Sequence, residues 1–308
     1  LALDKHGNFL GLRSLAKTAM GAYNTTDRNV NPTIVALSCL VNTYKTPTIH
    51  ARVMGIFTNT MTIAFYRGGG RPEPLYIIER LVDKAARQLG IDPFDLRRQN
   101  SIPSEDMPYR TSLDRIYDCG DFLKNMDDCR RIADYDSASV RREESRQRGK
   151  ILGIGFANVC EPAAGRAFEH AEIRFDPSGS VTILAGAMDH GQGHGTTFKQ
   201  VLSDRLGIDS ELIHYRYGDT DLVARGMGTF GSRTAVLCGG AISVAADRIV
   251  DKGKRIAAHF LEAAEADIVF EKGSFIVAGT DRAMDITEVA KMAAARETLP
   301  VDIEPGLN

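Results

Sequence analysis

No stretch of the 308-residue chain approaches the roughly 18 uninterrupted apolar residues that span a bilayer. Its opening, LALDKHGNFLGLR, lacks the charged and apolar halves of a signal peptide. The expected compartment is the cytoplasm, including the inner face of the membrane. An excess of charge of one sign is lacking as well. Against 40 Asp+Glu stand 38 Lys+Arg, a net −2, and there is no long basic run. That balance gives little electrostatic pull on nucleic acid or an anionic membrane, so a partner must be recognised by shape and local polarity. Cysteines are few and odd in number. Cys39, Cys119, Cys129, Cys160 and Cys238 include no C-x-x-C pair, which argues against zinc, an iron-sulfur cluster on this chain or a disulfide framework, and for ordinary reduced thiols.

What is present, 43% apolar and 25% charged residues, is an ordinary globular composition. At roughly 100 to 200 residues per domain, the length predicts about two domains, each able to bury its own core. A break is expected where the charged stretch VRREESRQRGK gives way to the apolar run ILGIGFANV, dividing the chain into 1–148 and 149–308. Leu1 opens inside what reads as a hairpin, and the end, LPVDIEPGLN, carries no closing element, so a segment of a longer protein is expected.

Local signals place several elements. GRPEPLYIIERLVDKAARQLG reads as a helix with Pro72 in the first turn, Glu73 at the positive dipole end, Ile78, Leu81, Val82, Ala85 and Leu89 at helical spacing, and Gly90 as its stop. Asp92-Pro93 predicts the cap and first residue of a second, short helix. HAEIRF and SVTILAG form a hairpin around Asp176-Pro177-Ser178-Gly179, and DIVFEKGSFIVAG another around Lys272-Gly273. Between them lie a loop at 188–195, a helix with Phe198, Val201, Leu202 and Leu206 on its apolar face and Gly207 as its stop, and the strand-like LIHYRYG. A long helix, TAVLCGGAISVAADRIV, follows, in which Gly239, Gly240 and Ala241 allow close packing. No internal repeat is present at a solenoid period.

Three glycine-rich loops precede helices: Tyr66-Arg67-Gly68-Gly69-Gly70-Arg71, His190-Gly191-Gln192-Gly193-His194, and residues 226–231 leading into Ser232-Arg233. Such loops expose backbone N–H groups beside the positive end of a helix. With Arg67, Arg71, Arg233, Ser232, Thr196 and Thr197 nearby they suit phosphate and other polar oxygens. None has the G-K-[ST] of a Walker loop or the spacing of G-x-G-x-x-G. A tight turn needing positive φ explains any one of them; three together favour a ligand. His190 and His194 stand at i, i+4, but across glycines and without the Glu of H-E-x-x-H. Contacts to a bound cofactor, or plain loop hydrogen bonds, are therefore expected rather than a protein-ligated metal. His170 and His214 fall in strand patterns and read as structural. Asp219 and Asp221 fit either acid/base groups or an Asx-stabilised turn.

At these loops the chain resembles the molybdenum-binding large subunit of the xanthine dehydrogenase, aldehyde oxidase and aerobic carbon monoxide dehydrogenase family. The matching stretches are GIFTNT, FYRGGGRPEPLYIIERLVDKAARQLGIDPFDLRRQN, MPYRTS, YDCGDF, DHGQGHGTTFKQVLSDRLGI, YGDTDLV and GMGTFGSR. The carbon monoxide dehydrogenase large subunits and their form II relatives are the nearest in pattern. The resemblance implies an α+β fold of two molybdopterin-binding domains, mixed sheets with flanking helices, joined across a cofactor cleft. It implies a molybdenum hydroxylase whose molybdopterin, in the cytosine dinucleotide form, is held without protein ligands to the metal. Gly191, Gln192, Gly193, His194, Thr196 and Thr197, with Thr229, Gly231, Ser232 and Arg233, then contact the pterin and pyrophosphate. Gly68, Gly69, Gly70 and Arg71 approach the metal and substrate, and Arg67 either orients substrate against developing negative charge or only pins its loop.

Two departures bear on the activity implied. Genuine carbon monoxide oxidisers carry a copper-binding cysteine at the position of Gly68, which has no thiol for that soft metal, so an aldehyde, purine or N-heterocycle is the expected substrate class. The family's proton-accepting glutamate in a G-x-G-E stretch and its metal-capping glutamine loop are not in these 308 residues, and Gly195 stands where relatives often have Glu. Electrons are expected to leave through an iron-sulfur small subunit and an FAD-binding medium subunit, in a dimer of heterotrimers. The competing readings are a non-catalytic module that keeps the fold and the pterin, and a nucleotide-binding protein of another kind.

Overall fold

The computed structural model describes residues 1–26, 29, 37–64, 66–161, 163 and 168–307. The chain divides into two compact units, Leu1–Glu161 and Pro162–Asn308, each mixing helices with small sheets.

In the first unit the expected hairpin forms: β1 (Ala2–Leu3) pairs antiparallel with β2 (Phe9–Gly21). β2 also pairs with β3 (Ile49–Phe57), in parallel, from Leu12 opposite Ile49 to Gly21 opposite Phe57. Against β2 lies α1 (Pro72–Leu89), which begins at the expected proline and stops at Gly90, whose φ of 68° lets its N–H reach the Ala86 carbonyl. Ile78, Val82 and Ala85 of its apolar face join Phe9, Leu12, Leu40, Tyr44 and Leu96 in the core; Leu81 is half-buried and Leu89 exposed. α2 (Pro93–Asn100) is capped as expected, the Asp92 carboxylate accepting the Phe94 and Asp95 N–H groups at 2.7 and 3.3 Å. The short ribbon β4 (Tyr109–Arg110) and β5 (Ile116–Tyr117) and helices α3 (Phe122–Ile132) and α4 (Ala138–Gln147) follow.

A polar network runs through this unit's interior. Arg97 is fully buried and pairs with Glu79 at 2.7 Å and Asp83 at 2.8 Å, while Tyr44 and Asn42 donate to the same Glu79 carboxylate. Burial and the Glu79 charge push the Tyr44 phenol far above its ordinary value, so it stays a donor. Asn42 also binds the carbonyl of Asn158 and accepts the Cys160 N–H. The charged stretch before 148 thus proves to be α4, whose Arg, Glu and Gln favour helix, and the apolar run after it is tied to the first unit by asparagine bonds that hydropathy does not display. The compact units part at 161, downstream of the expected break.

In the second unit β6 (Ala171–Phe175) and β7 (Val181–Ala185) form the expected hairpin, and β8 (Ile213–Arg216) joins β7 in parallel. α5 (His194–Leu206) carries Phe198, Leu202 and Leu206 into the core and ends at Gly207, φ 65°. α6 (Gly239–Phe260) is preceded by a π-helical turn, Thr234–Cys238, so the expected long helix is not regular throughout. A meander, β9 (Ile268–Glu271), β10 (Ser274–Val277) and β11 (Ala283–Asp285), and helix α7 (Ile286–Ala294) complete the unit, with the β9–β10 turn at Lys272-Gly273 as expected. Gly239 and Gly240 do not carry the close packing. A Cβ on Gly239 would come no nearer than 3.9 Å to Phe198 and one on Gly240 would meet nothing within 4 Å, whereas one on Gly253 would lie 2.2 Å from the Phe275 ring. At the other end of the unit a Cβ on Gly207 would lie 2.3 Å from the Gly273 nitrogen.

Candidate functional site

The first glycine-rich loop strings three left-handed residues together: Gly68, Gly69 and Gly70 have φ of 88°, 54° and 87°. Tyr66 and Gly68 carbonyls accept the Gly69 and Arg71 N–H groups, and the Arg71 guanidinium folds back to the same Gly68 carbonyl at 3.1 Å. A Cβ at Gly68 would lie 2.8 Å from the Pro72 ring, so only glycine fits. Arg67 is exposed, with its guanidinium 5.5 Å from the Tyr66 ring centroid. Arg71 pairs with Glu161 at 3.1 Å, their side chains 16% and 36% exposed.

The second loop is organised by a residue that the motif reading passes over. Asp189 Oδ1 accepts the N–H groups of Gly191, Gln192 and Gly193 at 2.7, 2.9 and 3.3 Å, and Oδ2 accepts that of His194 at 2.9 Å. These backbone bonds, that from Gly191 foremost, hold the Asp189 carboxyl below the ordinary carboxylate range. The amides expected to meet an external anion thus already hold an internal one. Gln192 Oε1 accepts the His190 N–H at 2.5 Å, Thr196 is exposed, and the Thr197 hydroxyl turns back on the Gly193 carbonyl at 3.3 Å. The His194 ring is buried against Phe198, centroids 5.3 Å apart.

The third loop runs through Gly228, Gly231 and Ser232, with φ of 86°, 60° and 56°. Thr229 Oγ1 donates to the Met188 carbonyl at 2.6 Å, bringing this loop against the second. Arg233 does not point outward. It is 1% exposed, paired at 2.5 Å with Glu169, whose side chain is 0% exposed, and it donates to the Gly228 and Phe168 carbonyls. Around that pair Gly186 and Gly226 touch, a Cβ on either lying 2.2 or 2.3 Å from the other's Cα, with the Glu169 carboxylate beside both. Of the sequence-predicted site residues, 191–197 and 229–233 are thus brought together, while 67–71 belongs to the other unit. Asp219 is a turn residue: its carboxylate accepts the Asp221 N–H at 2.9 Å.

Each loop leaves one buried nitrogen without a partner: Arg71 Nε, His194 Nδ1 and Arg233 Nε. Thr43 Oγ1, Thr46 Oγ1 and Arg141 Nε are in the same condition elsewhere, and what sets the other three apart is that each sits in one of the glycine-rich loops. Among the described residues there is no group of three or more His, Cys, Asp or Glu that could hold a metal ion. Buried nitrogens kept from water and without a partner fit a polar organic cofactor. Sequence reasoning missed Asp189, although an Asp just ahead of Gly-x-Gly is an Asx signal. It also missed Glu161 and Glu169, which have no local signal.

Residues 1–101 and 128–304 each match the molybdopterin cofactor-binding domain family, and the chain belongs to it. Its relatives include carbon monoxide dehydrogenase large chains, xanthine dehydrogenase molybdenum-binding subunits and an aldehyde oxidase. It is 31% identical to the gamma subunit of the 6-hydroxypseudooxynicotine dehydrogenase complex of Paenarthrobacter nicotinovorans, over 100% of this chain and 39% of that one. It is 32% identical to the carbon monoxide dehydrogenase large chain of Hydrogenophaga pseudoflava, over 100% and 40%. The crystal structure of quinoline 2-oxidoreductase from Pseudomonas putida 86 superposes with a TM-score of 0.91 at 32% identity, over 99% of this chain and 41% of that one. The chain therefore spans about two-fifths of the length of the relatives it matches. Among the described residues no helix is long and apolar enough to cross a membrane.

Proposed function

We propose that this chain is the cofactor-cradling part of the catalytic subunit of a cytoplasmic molybdenum hydroxylase that oxidises an N-heterocycle or a related aldehyde or purine, with water as the oxygen source. The observation that carries the reading is the buried, unpartnered nitrogen in each of the three loops, Arg71 Nε, His194 Nδ1 and Arg233 Nε, hydrogen-bonding groups suited to the polar atoms of molybdopterin, here taken in its cytosine dinucleotide form. Relatives named nicotine 6-hydroxylase and quinoline 2-oxidoreductase favour the heterocycle. Gly68 points the same way. It has no thiol for copper, and neither its φ nor the Pro72 ring leaves room for one, which disfavours carbon monoxide.

When bound, such a cofactor supplies two-electron redox chemistry and an activated water. This chain's residues do the rest by position. In the second unit His194 holds the cofactor through its unpartnered nitrogen, with Gln192 and Thr196 beside it, and in the first unit Arg71 offers its own. Gly69 and Gly70 let the backbone approach it, while Gly231, Ser232 and Thr229 shape the wall around Arg233. Arg67, exposed and carried on a glycine hinge, orients the substrate and offsets negative charge that develops on it. Electrons pass to an iron-sulfur small subunit and an FAD-binding medium subunit, in a dimer of heterotrimers.

The test is expression of the full-length gene with its neighbours, followed by molybdenum and pterin analysis and dye reduction with heterocycles, aldehydes and carbon monoxide. Near-stoichiometric molybdenum with heterocycle-driven reduction is expected. Arg67→Ala should keep the molybdenum and lower kcat/KM about 100-fold, with partial recovery in Arg67→Lys. Absence of molybdenum, or carbon monoxide acting as sole donor, overturns the proposal; bound pterin without any dye reduction marks a binding module instead.

A further inference from the structure

We propose that Asp189 is a positioning residue of the cofactor loop, whose carboxylate fills the amides of Gly191, Gln192, Gly193 and His194 so that the loop receives an uncharged, hydrogen-bonding part of the cofactor and turns its phosphates away. The inference rests on the molybdopterin reading above and refines which part of the cofactor this loop takes.

The geometry carries it. Four consecutive N–H groups converge on one carboxylate within 2.7 to 3.3 Å, spread over both of its oxygens. Gly191 and Gly193, with φ of 106° and 79°, supply the bends that aim those groups inward, and a Cβ on either would meet nothing within 4 Å, so the bends are not there to avoid a clash. The carboxylate is the acceptor that these four amides share, and it organises the loop from within. Without it four N–H groups at the start of α5 lose their acceptor at once, and the glycines have no reason to keep their angles.

The second consequence is electrostatic. A phosphate entering this concavity would find no free N–H among the four and a full negative charge already there, so the attraction usual at a glycine-rich helix start becomes repulsion. The second loop still offers Gln192, whose Oε1 is engaged by His190 and whose Nε2 makes no bond among the described residues, and the exposed Thr196. These match neutral donors and acceptors, as on a pterin ring. The His194 ring, packed against Phe198, has a nitrogen without a partner, an unmet bond of the same uncharged kind.

The experiment uses the full-length enzyme in its complex, as Asp189→Ala and Asp189→Asn. Amide exchange at Gly191–His194 is followed in the cofactor-free protein, with and without inorganic phosphate, and molybdenum per chain is followed in the loaded one. Asp189→Ala should speed exchange at these four amides about tenfold and lower molybdenum retention by a similar factor, with Asp189→Asn between it and the parent. Inorganic phosphate should slow exchange at these amides in Asp189→Ala and leave the parent unchanged. Unaltered exchange in Asp189→Ala overturns the proposal, as does faster exchange with full molybdenum retention, or phosphate protection of the parent. A parent that never carries molybdenum defeats the functional reading instead, while the exchange and phosphate measurements still decide what Asp189 holds and excludes.

Discussion

Arg71 and Arg233 close two glycine-rich loops at the start of two helices, and in sequence they look alike. In the structure they are opposites. Arg71 meets a carboxylate that is 36% exposed, on Glu161, the last residue of the first unit. Arg233 is sealed with Glu169 and two carbonyls where Gly186 and Gly226 touch. The difference lies in where each acid comes from. Glu169 reaches Arg233 from the start of β6, 64 positions away, and enters the interior with it. A glycine-rich loop with an arginine is therefore an anion site only if no acid elsewhere in the fold has claimed the charge first, and the second loop repeats the lesson with Asp189.

The contrast can be broken most sharply through the two acids. Glu169→Ala strands a buried guanidinium and should destabilise its unit by about 3 to 5 kcal/mol in chemical denaturation, whereas Glu161→Ala removes a partly hydrated pair and should cost at most about 1 kcal/mol. Equal effects would erase the distinction. Next come the loop glycines. Gly68→Ala combines left-handed strain with the Pro72 ring at 2.8 Å and should cost about 2 kcal/mol, while Gly193→Ala has the strain alone, with open space around it, and should cost about 1 kcal/mol. The smallest effect is on acidification. The Asp189 carboxyl is lowered, so its clamp on the loop is complete above the ordinary carboxylate value of about 3.9 and is lost as pH falls through the lower folded value. Amide protection at Gly191–His194 should therefore survive acidification to about pH 4 and disappear below it; loss at higher pH would show the carboxylate is not so held.

Much of the framework was legible because it is written locally. Pro72 and Gly90 bound α1, Asp92 caps α2, and the turns at 176–179 and 272–273 follow from residues that favour them on the spot. What escaped depends on partners far along the chain. The parallel pairing of β2 with β3 and of β7 with β8 has no turn to announce it. Gly253 looks like any helix glycine until Phe275 is laid against it, and the end of the charged stretch in α4 reads as a domain break because charges that pair along a helix resemble charges that merely dissolve a loop. In the site, the three glycine-rich loops are read from their residues, and Thr229 meets the Met188 carbonyl at the edge of the second, but the burial of Arg233 could not be foreseen without Glu169.

Gly207 and Gly273 press backbone to backbone where the end of α5 rests on the turn between β9 and β10. A side chain at Gly207 would strike the turn at 2.3 Å and one at Gly273 would crowd the Gly207 carbonyl at 3.0 Å, so a replacement at either is felt by the other. The helix end and the hairpin turn therefore fit as one joint, whose spacing is set by two residues that have no side chain.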